Sequence, residues 1–423
     1  MTGVQTCALP ISEHFRKGFI SAAKDGTINF FHATGEAKLL GETIEGGALA
    51  ALAISPRHNL LLTQQGNDFK VFEVENDHPE VTWSALWQQV WYEGYPEPMY
   101  VWQSTSASND FEAKLSLVPL VFGTLKASFY AMLFAVPLGV AGAIYTAYFM
   151  SAGLRKYVKP TVEIMAALPT VILGFLAGLW LAPIIEGALP GVILLLLLLP
   201  MGMLLTALVW NYLPERGKSW LPEGWHAILL IPVLLLIGWG AFALSPLIEN
   251  AFMHGDSRIW LTHEMGIKFD QRNSLVVGIA MGFAVIPTIF SIAEDAVFSV
   301  PKHLTQGSLA LGATPWQTLS RVVILTASPG IFSAVMMGLG RAVGETMIVL
   351  MATGNTPIMD FSMFQGLRTL AANIAVEMPE SEVGSSHYRV LFLAAFVLFV
   401  FTFMFNTLAE FIRQRLREKY SSL

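Results

Sequence analysis

Long apolar runs separated by short polar interruptions dominate the chain from residue 113 onward. Seven of these runs approach or exceed the roughly 20 residues that cross a bilayer core. They predict spans at about 117–149, 160–184, 190–212, 225–247, 274–297, 329–353 and 389–412. The first is long enough to include a polar-flanked start or a strong tilt. Pro137, Gly139, Pro169, Gly174 and Pro287 fall inside runs, where neighbouring helices satisfy the backbone groups they free.

Before residue 80 the period changes. Phe19, Ile20 and Ser21 lead to an Asp25-Gly26 turn signal, after which Ile28 and Phe30 alternate with polar residues. A second unit runs through Leu49–Ile54 and Leu60–Leu62 to a Gly66-Asn67-Asp68 turn, then Phe69 and Val71. Ile28 and Phe30 match Phe69 and Val71 at an offset of about 41 residues, in the range of propeller-blade repeats; a small hairpin domain is the plainer alternative. Trp83, Trp87 and Trp91 follow at helical spacing, with Tyr92, Tyr95, Tyr100 and Trp102 close behind. In a soluble protein that stripe is core; immediately before a membrane span it predicts a helix at the headgroup interface. The expected fold is an all-α polytopic membrane protein of about seven transmembrane helices, preceded by a partial β, propeller-blade-like extracytoplasmic segment. Its expected divisions are 1–12, 13–80, 81–112 and 113–420. Residues 1–12 read as a non-native leader, similar to a translated adapter remnant, on a chain whose N-terminal part is missing. A gene intact from Met1 would refute that expectation.

Composition narrows the class. With 54% hydrophobic and 13% charged among 423 residues, the chain is too apolar for an ordinary soluble protein. A net charge of −6 gives no sign of a nucleic-acid partner. The single cysteine, Cys7, excludes an intrachain disulfide framework and a Cys-rich zinc site. Lys and Arg concentrate in alternate loops: Arg155, Lys156 and Lys159; Arg216 and Lys218; Lys302 and Arg321; Arg413, Arg415, Arg417 and Lys419. The positive-inside rule puts these loops and the C-terminus in the cytoplasm, with the β segment outside. An outside segment with no signal peptide of its own requires an upstream signal or span.

No Gly-x-x-x-x-Gly-Lys-Ser/Thr loop occurs, and no catalytic constellation stands out. Two features carry chemistry instead. The interruption Glu294–Gly330 holds Pro301, a candidate cap at Thr305, and an amphipathic stretch with Leu311, Gly312, Ala313, Thr314 and Trp316. It reads either as a loop packed on its own bundle or as a docking segment anchored by Trp316. Arg341 and Glu345 lie four apart in an apolar run, so on one helix they face the same way. A guanidinium is a natural handle for a tetrahedral oxyanion, while a buried structural pair fixing helix register is the alternative.

These residues also carry a family resemblance. Glu294-Asp295-Ala296, Val300-Pro301, Ala310 to Thr314, Trp316-Gln317-Thr318 and Pro329-Gly330-Ile331 resemble the coupling-loop signature of ABC importer permeases. The likeness narrows to phosphate importer permeases of the PstC type through Gly340 to Met347, Gly354-Asn355 and Thr369 to Ala375, with Gly123-Thr124-Leu125 and Glu163 to Gly174 upstream. Two departures stand out. Gln306-Gly307-Ser308 replaces the signature Glu-Ala-Ala, and a hairpin at about 186–272 is inserted into the usual core. The resemblance implies coupling to an ATPase through about 298–325, centred on Leu311, Gly312, Ala313, Thr314 and Trp316. It implies a substrate path with Arg341, Glu345 and Glu163. It also implies a second permease subunit, two cytoplasmic ATPase subunits that bind the ATP and Mg²⁺, a periplasmic phosphate-binding protein, and a multi-pass place in a bacterial inner membrane surrounded by lipid. No cofactor is expected in this chain. Sulfate or molybdate permeases, and a non-transporting membrane sensor or scaffold, remain as alternatives.

Overall fold

Inside a bilayer every backbone N–H and C=O needs a partner within the protein, so long apolar runs resolve as helices. The structure, a computed structural model, describes residues 9–12, 17–23, 25–45, 47–105, 111–212 and 229–420. The first eight residues of the expected leader, together with Arg216 and Lys218, lie outside the described residues. The chain divides into two compact units, residues 1–121 with 374–396, and residues 122–373 with 397–423.

In the first unit, β1 (Leu9–Ser12), β2 (Gly18–Ala22), β3 (Thr27–His32) and β4 (Ala37–Thr43) form an antiparallel meander. A second meander comprises β5 (Ala51–Ile54), β6 (Leu60–Gln65) and β7 (Asp68–Glu73). Ile20, Ile28, Phe30, Leu52 and Leu61 form their shared core. The expected side-chain repeat does not hold. Ile28 and Phe30 are buried, whereas Phe69 and Val71 are exposed and Phe72 turns inward. A one-residue change of register moves every side chain to the other face. The expected helix through Trp91 is also shorter than its spacing suggests. Thr82 caps α1 (Trp83–Trp87) by accepting from the Ala85 N–H, and the chain is extended by Gln88. Trp91 lies beyond, donating its Nε1 to the Tyr95 carbonyl at 2.8 Å. The strands β8 (Trp102–Gln103) and β9 (Lys114–Leu115) then pair, and the Lys114 ammonium lies among the rings of Tyr92, Tyr95 and Phe111.

Seven helical stretches among the described residues are long and apolar enough to cross a membrane. The first is α2 (Val118–Ile144), extended by a π turn at Tyr145–Phe149. The amphipathic α3 (Ala152–Ala166) follows. The predicted second span therefore begins at residue 170 rather than 160, because Pro169 takes an extended conformation and starts a new helix. This span joins α4 (Thr170–Leu176) and α5 (Ala182–Gly187) through a π turn. The stretch expected as a hairpin at about 186–272 holds α6 (Leu189–Tyr212) and α7 (Leu230–Phe252), followed by the short α8 (Ser257–His263).

The centre of the second unit is α9 (Ser274–Phe298), with Val277, Met281, Val285 and Ile289 in its core. Gly278 permits its approach to α2: a Cβ there would stand 2.9 Å from the Tyr130 Cβ. Next come α10 (Lys302–Ala310), α11 (Pro315–Thr318), a π turn and α12 (Ile324–Val343). The sixth span accordingly occupies Pro315–Val343, not 329–353. The chain ends with α13 (Met347–Ala352), α14 (Leu370–Glu377) and α15 (Ser386–Tyr420).

Candidate functional site

The end of the sixth span positions Arg341. The α12 helix stops at Val343, with Gly344 as its C-cap. Three residues later α13 begins, and Glu345 Oε1 accepts from its first N–H groups, Met347 at 3.2 Å and Ile348 at 3.3 Å. These orphan donors at a helix start need an acceptor, and a carboxylate provides it. The expectation that Arg341 and Glu345 share one helix is thus corrected. The four-residue spacing is interrupted by a helix end, and Glu345 is held by the backbone that follows it. Arg341, half-buried in the last turn of α12, donates Nη1 to Thr288 Oγ1 of α9 at 2.7 Å.

Arg341 lines a cavity of about 450 Å³ between α9, α12 and α15. Thr288, Ser333 and Asn406 provide neutral polar groups, Met336 and Met337 apolar wall, and Glu410 and Arg413 a second charged pair. Glu410 and Arg413 are ion-paired at 2.7 Å. A second cavity of about 460 Å³ shares Ser333, Glu410 and Arg413 and continues to Asp295 and Gln414. Hydroxyl, amide and guanidinium donors around one cavity are chemically suited to a polyoxygen anion. Glu163 does not join them: it is exposed on α3 and is not among the lining residues of either cavity.

Spacing on a single helix missed Thr288, Ser333 and Asn406 because they come from three helices. The available signal was simply a hydroxyl or amide in an otherwise apolar span. Lys126 is buried in α2, with the Asp360 and Asp270 carboxylates acting on its ammonium, and does not line either cavity.

The interruption after α9 is a helical hairpin. Pro301 opens α10, and Thr305 sits inside it, donating to the Lys302 carbonyl. The cap expected at Thr305 is therefore at Thr314, which forms a reciprocal capping box with Gln317 ahead of Pro315. The stretch from Leu311 to Thr314 is a turn between two helices, with Gly312 in the left-handed region at φ +87°. Ala313 is half-buried and Thr314 exposed at that turn. Leu311 is 91% exposed and Trp316 67% exposed, so both large apolar side chains are presented outward. Beneath them Val297, Val300, Leu319, Val323 and Ala327 pack with Ile144 and Tyr148 into a separate apolar seat. The Tyr148 hydroxyl donates to the Pro315 carbonyl at 3.3 Å. Among the described residues, no three His, Cys, Asp or Glu side chains cluster to hold a metal.

Residues 135–418 match the family described as binding-protein-dependent transport system inner membrane component. The chain is 27% identical over 307 residues to the probable ABC transporter permease protein YqgH of Bacillus subtilis (strain 168), covering 72% of this chain and 74% of that protein. It is 27% identical over 310 residues to the phosphate transport system permease protein PstC of Mesorhizobium japonicum, covering 73% and 76% of the two chains. A probable PstC of Methanocaldococcus jannaschii is 29% identical over 246 residues, covering 57% and 76%. Among solved structures, the chain overlaps 71% of its length with 95% of a chain of the MetNI methionine ABC transporter, at 15% identity and a TM-score of 0.39. That overlap is too loose to carry further argument.

Proposed function

This chain belongs to the family of binding-protein-dependent transport system inner membrane components, and from that premise we propose that it is the permease subunit of an ATP-driven phosphate importer. The observation that carries the substrate class is Arg341: a guanidinium on a broken membrane helix, bonded to a hydroxyl and lining a cavity with further polar donors. Discontinuous helices place polar groups at membrane depth where a substrate passes. An ionisable residue within a span marks a pathway by default. In this reading Arg341 accepts the oxyanion and exchanges its hydrogen bond to Thr288 for bonds to the substrate. Glu345 keeps the break in shape by holding the start of α13. The relatives named for phosphate transport favour phosphate over sulfate or molybdate.

The partners follow from the same reading. A second permease subunit completes the membrane path, two cytoplasmic ATPase subunits bind ATP and Mg²⁺, and a periplasmic phosphate-binding protein delivers substrate. The α10–α11 hairpin, with Leu311 and Trp316 outward and Gly312 and Ala313 at the turn, docks into the ATPase on the cytoplasmic side. The C-terminus lies on that same side.

Phosphate and sulfate uptake by cells carrying Arg341→Gln tests the reading. Phosphate uptake is expected to fall by about tenfold or more, the scale of one lost charge-assisted contact. Normal phosphate uptake removes Arg341 from the path. Loss of sulfate uptake alone moves the chain to the sulfate class, and no uptake defect on deleting the whole gene favours the sensor reading. Gly312→Ala is expected to lower uptake while leaving the membrane domain folded, because a side chain at positive φ costs about 1–2 kcal/mol at this turn.

A further inference from the structure

Glu294 is fully buried in the last turn of α9, and two cations of α3 reach it. Arg155 donates to its Oε1, and the Lys159 ammonium bonds its Oε2 at 2.9 Å. Lys159 also bonds Asp295 Oδ1 at 2.9 Å, and the Arg155 guanidinium lies 3.8 Å from the centre of the Phe298 ring. Arg155 and Lys159 are four apart on α3, so one helix face delivers both charges. No residue of α3 is fully buried, and Val162 packs only partly against the central core. Ion pairs, rather than an apolar face, therefore dominate the attachment of α3 to α9.

The α3 helix links two elements with assigned roles, one by its side chains and one by its C-terminal end. On one side, α9 ends at Phe298 and α10 begins four residues later, with Val297 and Val300 in the apolar seat beneath the hairpin. On the other, α3 passes through Pro169 into α4, where Gly174 lies so close to α13 that a Cβ would stand 2.8 Å from the Met347 carbonyl oxygen. The Met347 N–H is held by Glu345 at the helix break. A packed contact of this kind transmits displacement instead of absorbing it.

We propose that Glu294 is a positioning residue whose ion pairs with Arg155 and Lys159 make α3 move with the root of the hairpin, carrying its displacement through α4 and α13 to the break beside Arg341. The inference rests on the transport reading given above. Removing one partner leaves a charge buried without compensation, so the pairs resist sliding, and the two helices shift together. The bonds to Asp295 and then Glu294 hold the Lys159 ammonium above the ordinary lysine range. A raised pKa contributes fully below the unfolded lysine value and is lost only as pH rises through the folded one. Lys159 therefore keeps its positive charge across the neutral range.

The test uses the complete complex with its ATPase and binding-protein partners in proteoliposomes, measuring phosphate uptake and ATP hydrolysis separately. Unmodified complex that shows no phosphate-dependent hydrolysis sinks the transport reading itself. Given that activity, Arg155→Gln with Lys159→Gln is expected to lower the phosphate moved per ATP by between about twofold and thirtyfold, with hydrolysis retained. Charge exchange, Arg155→Glu with Glu294→Arg, is expected to recover the ratio in part, and Lys159→Arg to keep it. Should the buried, uncompensated charge left in these variants prevent assembly, Arg155→Met with Glu294→Met removes both charges together and is expected to assemble with a lowered ratio. Uptake and hydrolysis that fall in proportion, at an unchanged ratio, make the cluster a simple brace and overturn the proposal.

Discussion

The helix at Ser274–Phe298 and the hairpin at Leu189–Phe252 are built from equally apolar sequence, yet the protein uses them differently. In the first, 67% of the apolar window is buried within the protein; in each hairpin helix the share is 11%. The difference is in what the small residues meet. The α9 helix places Gly278, Ala280, Gly282 and Ala284 among its larger residues, so neighbouring backbones come close on more than one side. The hairpin offers Leu194 to Leu199 and Leu234 to Leu236, which lipid solvates as well as protein does. Its two helices meet each other at Gly191 and Gly202, opposite Ser245 and Ile237. Hydrophobicity tells which segments enter the bilayer, and a small residue marks the core only where a neighbour packs against it, as at Gly278 and Gly282 but not at Gly238 or Gly240.

That comparison can be broken most directly at glycine. Gly278→Leu is expected to abolish most of the folded protein recovered from membranes, since even a Cβ meets Tyr130 at 2.9 Å. Gly238→Leu, where nothing lies within 4 Å, is expected to leave the yield unchanged. Equal yields would refute the assignment of α9 as core. Truncation gives a graded version. Ile289→Ala, at a position with 0% exposure, is expected to cost about 2–5 kcal/mol in a detergent unfolding titration. Leu204→Ala, 72% exposed, is expected to stay within about 0.5 kcal/mol. A small effect on transport is expected from replacing residues 193–252 with a short Gly-Ser linker, which keeps the core residues Leu189 and Val192. An even number of spans is removed, so sidedness is kept, and phosphate uptake is expected to fall by less than about twofold. A larger loss at normal expression would give the hairpin a role in transport.

Much of this organisation was legible before any fold was known. Seven apolar runs match seven helices because run length and backbone satisfaction leave no other solution in a bilayer. Their ends were less legible. The break at Gly344 lies inside a run apolar enough to be read as one span, and the capture of two N–H groups by Glu345 marks it. Spacing therefore put Arg341 and Glu345 on one helix face, while the chain separates them with a helix terminus. At the hairpin, Thr305 and Thr314 were both competent caps. Pro315 and Gln317 beside Thr314 decide between them, a local signal read at the wrong threonine. The repeat at Phe69 and Val71 failed for a related reason, because period two survives a one-residue slip but the buried face does not.

The amino-acid sequence by itself determined that this is a membrane protein with seven span-length apolar segments among the described residues and a polar interruption between the fifth and sixth. Those features follow from transfer of side chains and backbone between water and lipid, which depends on composition and length alone. It also determined that Arg341 and Glu345 would need partners, since charge inside an apolar run at membrane depth is costly. Only the tertiary structure decided which partners they have. Arg341 turns to Thr288 from a different helix, and Glu294 receives Arg155 and Lys159 from residues more than a hundred positions away. Pairings over that separation depend on how helices cross, and crossing is set by side-chain packing summed over the whole bundle.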